Sequence, residues 1–212
     1  MTYNEVMDVS RPFAAISPGV EADVLVALAG STGHRTGREL SRLSGRSVTG
    51  VQHALDRLVD EGLVHRSEAG RSFLYTFNRE HLLAQAVEEM AGARWKLVES
   101  LRELIGGWKS PTFHACLFGS AARGEGNSAS DIDLLVVRPT KTDAEDPTWR
   151  EQLDALAERV WAWTGNQAGI AELSESDLPR LLEDRPPVLK AVEGEGIDLA
   201  GTPRRKWIKG SS

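Results

Sequence analysis

Residues 117–137 read LFGSAARGEGNSASDIDLLVV, and this stretch decides how the second half of the chain must fold. Apolar residues give way at Gly119-Ser120 to small and polar ones, and apolar character resumes at Ile132. That pattern is a buried strand, a loop able to open a helix, and a second buried strand. Glycine at 119 lets a backbone approach a phosphate with no side chain in the way. Amides at a helix start, with the Ser120 hydroxyl, can then take phosphate oxygens, and Arg123 is the cation the sequence places nearby. Asp131 and Asp133 flank Ile132, and in a strand residues i and i+2 share a face. Two adjacent carboxylates repel unless a cation lies between them. Mg²⁺ (or Mn²⁺) suits such oxygen ligands and commonly joins protein carboxylates to substrate phosphates. It can activate an attacking oxygen and stabilise a leaving one.

Outward from this segment, FHACLF (113–118) and IDLLVV (132–137) read as the strands. A helix is expected over about 149–163, a strand at GIAEL (169–173), and helical pieces around 177–193. Toward the N-terminus the rhythm is different. Val24, Leu25 and Leu28 lie on one helical face that stops at Gly30, and Thr36 caps a short helix carrying Leu40 and Leu43. Ser47 caps a third helix, through about Glu61, with Val51, Leu55, Leu58 and Val59 at helical spacing. LVHRSE and SFLYTFN then flank Ala69-Gly70 as two strands and a tight turn. Three short helices and a hairpin make a winged helix-turn-helix. Residues 1–20 look like an arm or a short strand.

The stretch 80–106 is helical, with Leu83, Val87, Met90, Leu97, Leu101 and Leu104 as its inner face. The fold class is therefore α+β: a winged helix-turn-helix at 1–80, a long connecting helix at 81–110, a domain with a small mixed sheet flanked by helices at 111–204, and a tail at 205–212.

The string GSAARGEGNSASDIDLLVV resembles the signature of the DNA polymerase β-like nucleotidyltransferase superfamily, in particular its minimal nucleotidyltransferase branch. There Gly-Ser-x-Ala-Arg-Gly and Ser-Asp-Ile-Asp-Leu recur. The resemblance implies a triphosphate held by Gly119, Ser120, Arg123 and Ser130, a divalent metal held by Asp131 and Asp133, and a third carboxylate on a later strand. That third group completes the metal site and helps deprotonate the acceptor hydroxyl. Glu172 is the candidate, but alternation leaves open whether Glu172 or Ala171 faces the site. With Ala171 there, the acceptor-activating group is missing. ATP is the donor the resemblance implies, with a protein, small molecule or RNA end as acceptor. A small helical partner, as in toxin–antitoxin systems, is also implied.

The winged module carries Arg35, Arg38, Arg42, Arg46 and Arg57 against Glu39 and Asp56. This local basic excess suits double-stranded DNA although the whole chain has a formal charge of −6. The third helix would enter the major groove with Ser47, Thr49, Gln52 and His53 as base readers, Arg42 and Arg46 beside them, and Arg66 and Arg71 on the hairpin. A homodimer is expected for such a module. The single cysteine, Cys116, excludes an intrachain disulfide and argues against a cysteine zinc site. No apolar run suits a membrane helix and the start lacks the pattern of a signal peptide, so the chain reads as cytoplasmic. Glu193 and Glu195, each beside a glycine, read as a surface turn. Three functions follow in order: transfer of a nucleoside monophosphate, AMP from ATP, onto an unknown acceptor; a DNA-binding regulator whose nucleotidyltransferase-like domain only senses a nucleotide; and a module for protein–protein assembly.

Overall fold

The computed structural model describes residues 8, 11–15, 19–124 and 130–208. Two compact units emerge, one spanning Arg11–Ala93 and the other built from Arg94 onward. In the first, a 3-10 turn at Pro12–Ala15 precedes α1 (Val20–Ala29), β1 (Arg35–Thr36), α2 (Gly37–Ser44), α3 (Val48–Asp60), β2 (Val64–Ala69), β3 (Ser72–Phe77) and α4 (Ala84–Ala91). Local chemistry sets these limits. Thr36 and Glu39 form a reciprocal capping box at the start of α2, and Gly45, in the left-handed region, ends it. The Ser47 hydroxyl accepts from the Gly50 amide at the start of α3. The strands pair antiparallel in the order β1-β3-β2. One core, including Val24, Leu28, Leu40, Val51, Leu55, Tyr75 and Val87, holds this unit together. Beyond the 3-10 turn, the arm expected over residues 1–20 falls largely outside the described residues.

The helical stretch 80–106 comes as two helices, α4 and α5 (Ala93–Gly106), parted at Gly92. Val87 of α4 belongs to the core of the first unit, whereas Leu97, Val98, Leu101 and Ile105 of α5 belong to the second. The segment 81–110 is thus divided between the two units and is not a separate module. Leu83, expected on its inner face, is exposed.

The second unit continues with β4 (His114–Leu117), α6 (Gly119–Arg123), β5 (Ile132–Arg138), α7 (Pro147–Thr164), β6 (Ala168–Ser174), α8 (Leu178–Asp184), α9 (Pro187–Glu195) and β7 (Ile197–Gly201). Its sheet runs β6-β5-β4-β7, with β5 parallel to β6 and the other pairs antiparallel. One face packs on α5 and α7 through Leu134, Val136, Trp149, Leu156 and Val160. The other packs on α8 and α9 through Cys116, Leu135, Val137, Leu189 and Val192. Trp207 and Ile208 are buried in that second layer, so the expected tail begins no earlier than residue 209. The sequence pattern did not announce β7, and this strand positions part of the site.

Candidate functional site

Strand register brings the chemistry of residues 117–137 together. Leu117 lies opposite Leu134 on β5, and the Phe118 amide donates to the Asp133 carbonyl at 3.0 Å. The backbone then turns at Gly119 with φ at +70°. A Cβ at this position would fall 2.2 Å from Asp133 Oδ2, so only glycine fits against that carboxylate. Across on β6, Gly169 pairs with Asp133. A Cβ there would lie 3.1 Å from Asp133 Oδ1 and 3.8 Å from the Asp131 Cβ. Asp131 and Asp133 therefore share one face at this end of the sheet, and two glycines make room for the second.

The backbone entering this pair is anchored. Asn166, 2% exposed, donates from Nδ2 to the Ser130 carbonyl at 2.9 Å. The Ile132 amide donates to the Gln167 carbonyl at 2.9 Å. Residues 125–129 of the loop lie outside the described residues.

Burial, then the neighbouring charges of Asp131 and Glu195, push the Asp133 carboxyl above its usual range, partly offset by Arg123. A cation would relieve that repulsion. Among the described residues no group of three or more His, Cys, Asp or Glu side chains is arranged to hold a metal. Two carboxylates alone suit Mg²⁺, which takes much of its shell from water and substrate phosphates. The donor set thus fits a metal that arrives with a nucleotide.

Glu172 is a correction to the sequence reading. It lies opposite Val136, on the sheet face turned away from the aspartates; the face they share carries Gly169 and Ala171. Its carboxylate takes the Trp149 indole N–H at 3.0 Å and pairs with Arg138 and Arg150 at 3.1 and 3.0 Å. It ties β5, β6 and α7 together instead of completing the metal site.

Sequence reasoning missed Glu195. At the end of α9, its Oε1 accepts from the Gly119 amide at 3.0 Å and its Oε2 meets Arg123 Nη1 at 2.5 Å. Ser120 lies half-buried in α6 beside these groups, and α6 is closed by Arg94, whose guanidinium donates to the Ala122 carbonyl at 2.8 Å.

In the first unit the exposed positions of α2 and α3 include Arg38, Arg42, Thr49 and His53, and Arg71 is exposed on the hairpin turn. Three other expectations meet structural roles. Arg46 Nε binds Asp23 at 2.6 Å, and Asp23 is 9% exposed. The Gln52 amide donates to Asp56 and to the Tyr75 hydroxyl, both at 3.2 Å. Ser47 spends its hydroxyl oxygen on the helix cap.

Residues 94–178 match the nucleotidyltransferase domain family, and residues 19–79 match the family of sugar-specific transcriptional regulators called TrmB. The chain joins a TrmB-type winged helix to a nucleotidyltransferase domain. No curated protein matches it. Among solved structures, a Sulfolobus solfataricus protein provisionally described as a nucleotidyltransferase is similar at 17% identity and a TM-score of 0.33, over 54% of this chain and 87% of that one. A provisional transcriptional regulator from Pseudomonas aeruginosa is similar at 23% identity and 0.28, over 46% and 86%. TrmBL2, described as an archaeal chromatin protein with a novel mode of DNA binding, is similar at 18% and 0.28, over 83% and 72%. Likenesses this weak carry no functional argument.

The nucleotidyltransferase domain gathers Gly119, Ser120, Arg123, Asp131 and Asp133 at one end of its sheet, and leaves Glu172 outside. No described helix is long and apolar enough to cross a membrane. Cys116 is buried and its thiol is pushed up to about 12 by that burial, which makes it a core residue and no nucleophile.

Proposed function

We propose that this protein is a DNA-binding regulator whose nucleotidyltransferase domain binds a nucleoside triphosphate, ATP by preference, together with Mg²⁺. The carrying observation is the composition of the shared sheet face: Asp131 and Asp133 lie beside Gly169 and Ala171, and β6 places no carboxylate on that face to activate an acceptor. Asp131 and Asp133 would hold the metal. Gly119, Ser120, Arg123 and Ser130 would face the phosphates. Bound there, the ion would neutralise the carboxylates and polarise phosphate oxygens. Arg38, Arg42, Thr49, His53 and Arg71 would meet double-stranded DNA. A homodimer working in the cytoplasm suits a module of this kind.

A second reading is supported by the aspartate pair and the family match. In it the domain transfers AMP onto a protein, small molecule or RNA acceptor, with a toxin-like partner in attendance. Incubation with labelled ATP, Mg²⁺ and cell extract decides between the two. The regulator reading expects ATP to bind without transfer, and binding to vanish in Asp131→Ala/Asp133→Ala. Label transfer that depends on the two aspartates overturns it in favour of the transferase, and ATP binding that survives the double substitution sinks the assigned site.

A further inference from the structure

The groups that a phosphate would need are already engaged by a side chain. The Gly119 amide and the Arg123 guanidinium hold the two carboxylate oxygens of Glu195, at 3.0 and 2.5 Å. Its place is fixed from three directions. Ile197, two residues on, is in register with Leu117. Leu189 and Val192 anchor α9 in the core. Gly196 makes a close passage, where a Cβ would fall 2.6 Å from the Val192 carbonyl oxygen and 2.5 Å from Arg204 Nη1. Glu195 is 20% exposed at its side chain while Arg123 is 42% exposed, so an entering anion reaches the arginine first.

Resting on the nucleotide-site reading above, we propose that Glu195 is an internal anion that competes with the triphosphate for the Gly119 amide and Arg123, and so sets the threshold for nucleotide binding. Both of its oxygens are engaged by these donors, and among the described residues Glu195 forms no three-membered metal-holding group with Asp131 and Asp133, which separates this role from that of a third metal ligand. A ligand must bring phosphate charge to satisfy the donors and a cation to offset the carboxylate it pushes aside. Apparent affinity falls by the fraction of molecules in which the donors are occupied.

Calorimetric titration of the full chain with Mg–ATP, and separately with Mg–tripolyphosphate, tests this on wild type, Glu195→Gln and Glu193→Gln. Glu193 stands on the same helix and pairs with Arg185 at 2.6 Å, so its substitution removes the same charge away from the cradle. The expected result is tighter binding of both probes by Glu195→Gln, about tenfold, with Glu193→Gln within about twofold of wild type. Glu195→Ala should act in the same direction and replaces the glutamine variant if that one fails a thermal unfolding check. Wild-type binding that is unchanged or weakened in the Glu195 variants overturns the competitor role alone, as does an equal gain from Glu193→Gln. No binding by wild type or by either Glu195 variant sinks the nucleotide site and this proposal together.

Discussion

At the scale of single residues, the site depends on what its glycines exclude. Gly119→Ala would force a left-handed residue, which costs roughly 1–2 kcal/mol for a side chain with a Cβ, and would drive that Cβ into Asp133. Lower thermal stability together with loss of ATP binding is the expected outcome. Gly169→Ala meets Asp133 Oδ1 less closely, at 3.1 Å, and should weaken binding while the fold persists. Glu172 makes the opposite prediction. Glu172→Gln leaves Arg138 and Arg150 facing a neutral amide, and unfolding in urea should show a loss of roughly 1–3 kcal/mol, with an unchanged dissociation constant for Mg–ATP. A variant of full stability that no longer binds would return Glu172 to the site. The aspartate pair was legible in the sequence because i, i+2 spacing in extended backbone at the start of β5 fixes a shared face by itself. Whether Glu172 or Ala171 joined it was not legible, since that depends on the register between β5 and β6, which no local pattern encodes.

At the scale of elements, caps and turns were readable and long-range partners were not. Thr36, Gly45, Ser47 and Gly70 announce the limits of α2, α3 and the hairpin, and all act where the sequence puts them. Gln52 looks like a base reader and Arg46 like a DNA-facing cation beside it, yet their partners Tyr75 and Asp23 each stand 23 positions away. Glu195 was hidden for a similar reason: its meaning comes from β7, and a glycine on each side made it resemble a surface turn. These placements give separable predictions for α2 and α3. Ser47→Ala removes the cap and should cost the winged unit about 1 kcal/mol without changing which DNA sequence is preferred. Arg38→Ala/Arg42→Ala should instead leave stability unchanged and weaken binding to all sequences. The slope of log affinity against log salt should fall by about one for each phosphate that is no longer neutralised, as read by fluorescence anisotropy across a salt series. An unchanged slope moves the DNA-binding face elsewhere on the unit.

At the scale of the whole molecule, each unit carries its own core: the residues packed around Leu28 and Leu55 all lie between Phe13 and Ala91, and those around Leu134 and Leu135 all lie beyond Arg94. A domain with a complete core can fold alone, so a fragment of residues 11–93 should unfold cooperatively without the rest. This independence makes the regulator reading quantitative. Any effect of Mg–ATP on DNA affinity in the full chain is a coupling free energy, and linkage requires DNA to change ATP affinity by the same factor. Coupling of about 1–3 kcal/mol, or roughly 5- to 150-fold, is the usual scale. The expected result is a DNA dissociation constant that shifts on saturation with Mg–ATP in the full chain, a reciprocal shift in the ATP titration, and no shift in the 11–93 fragment. Equal DNA affinity with and without saturating Mg–ATP would mean that the two domains act separately, and would leave the transferase reading as the reason for their fusion.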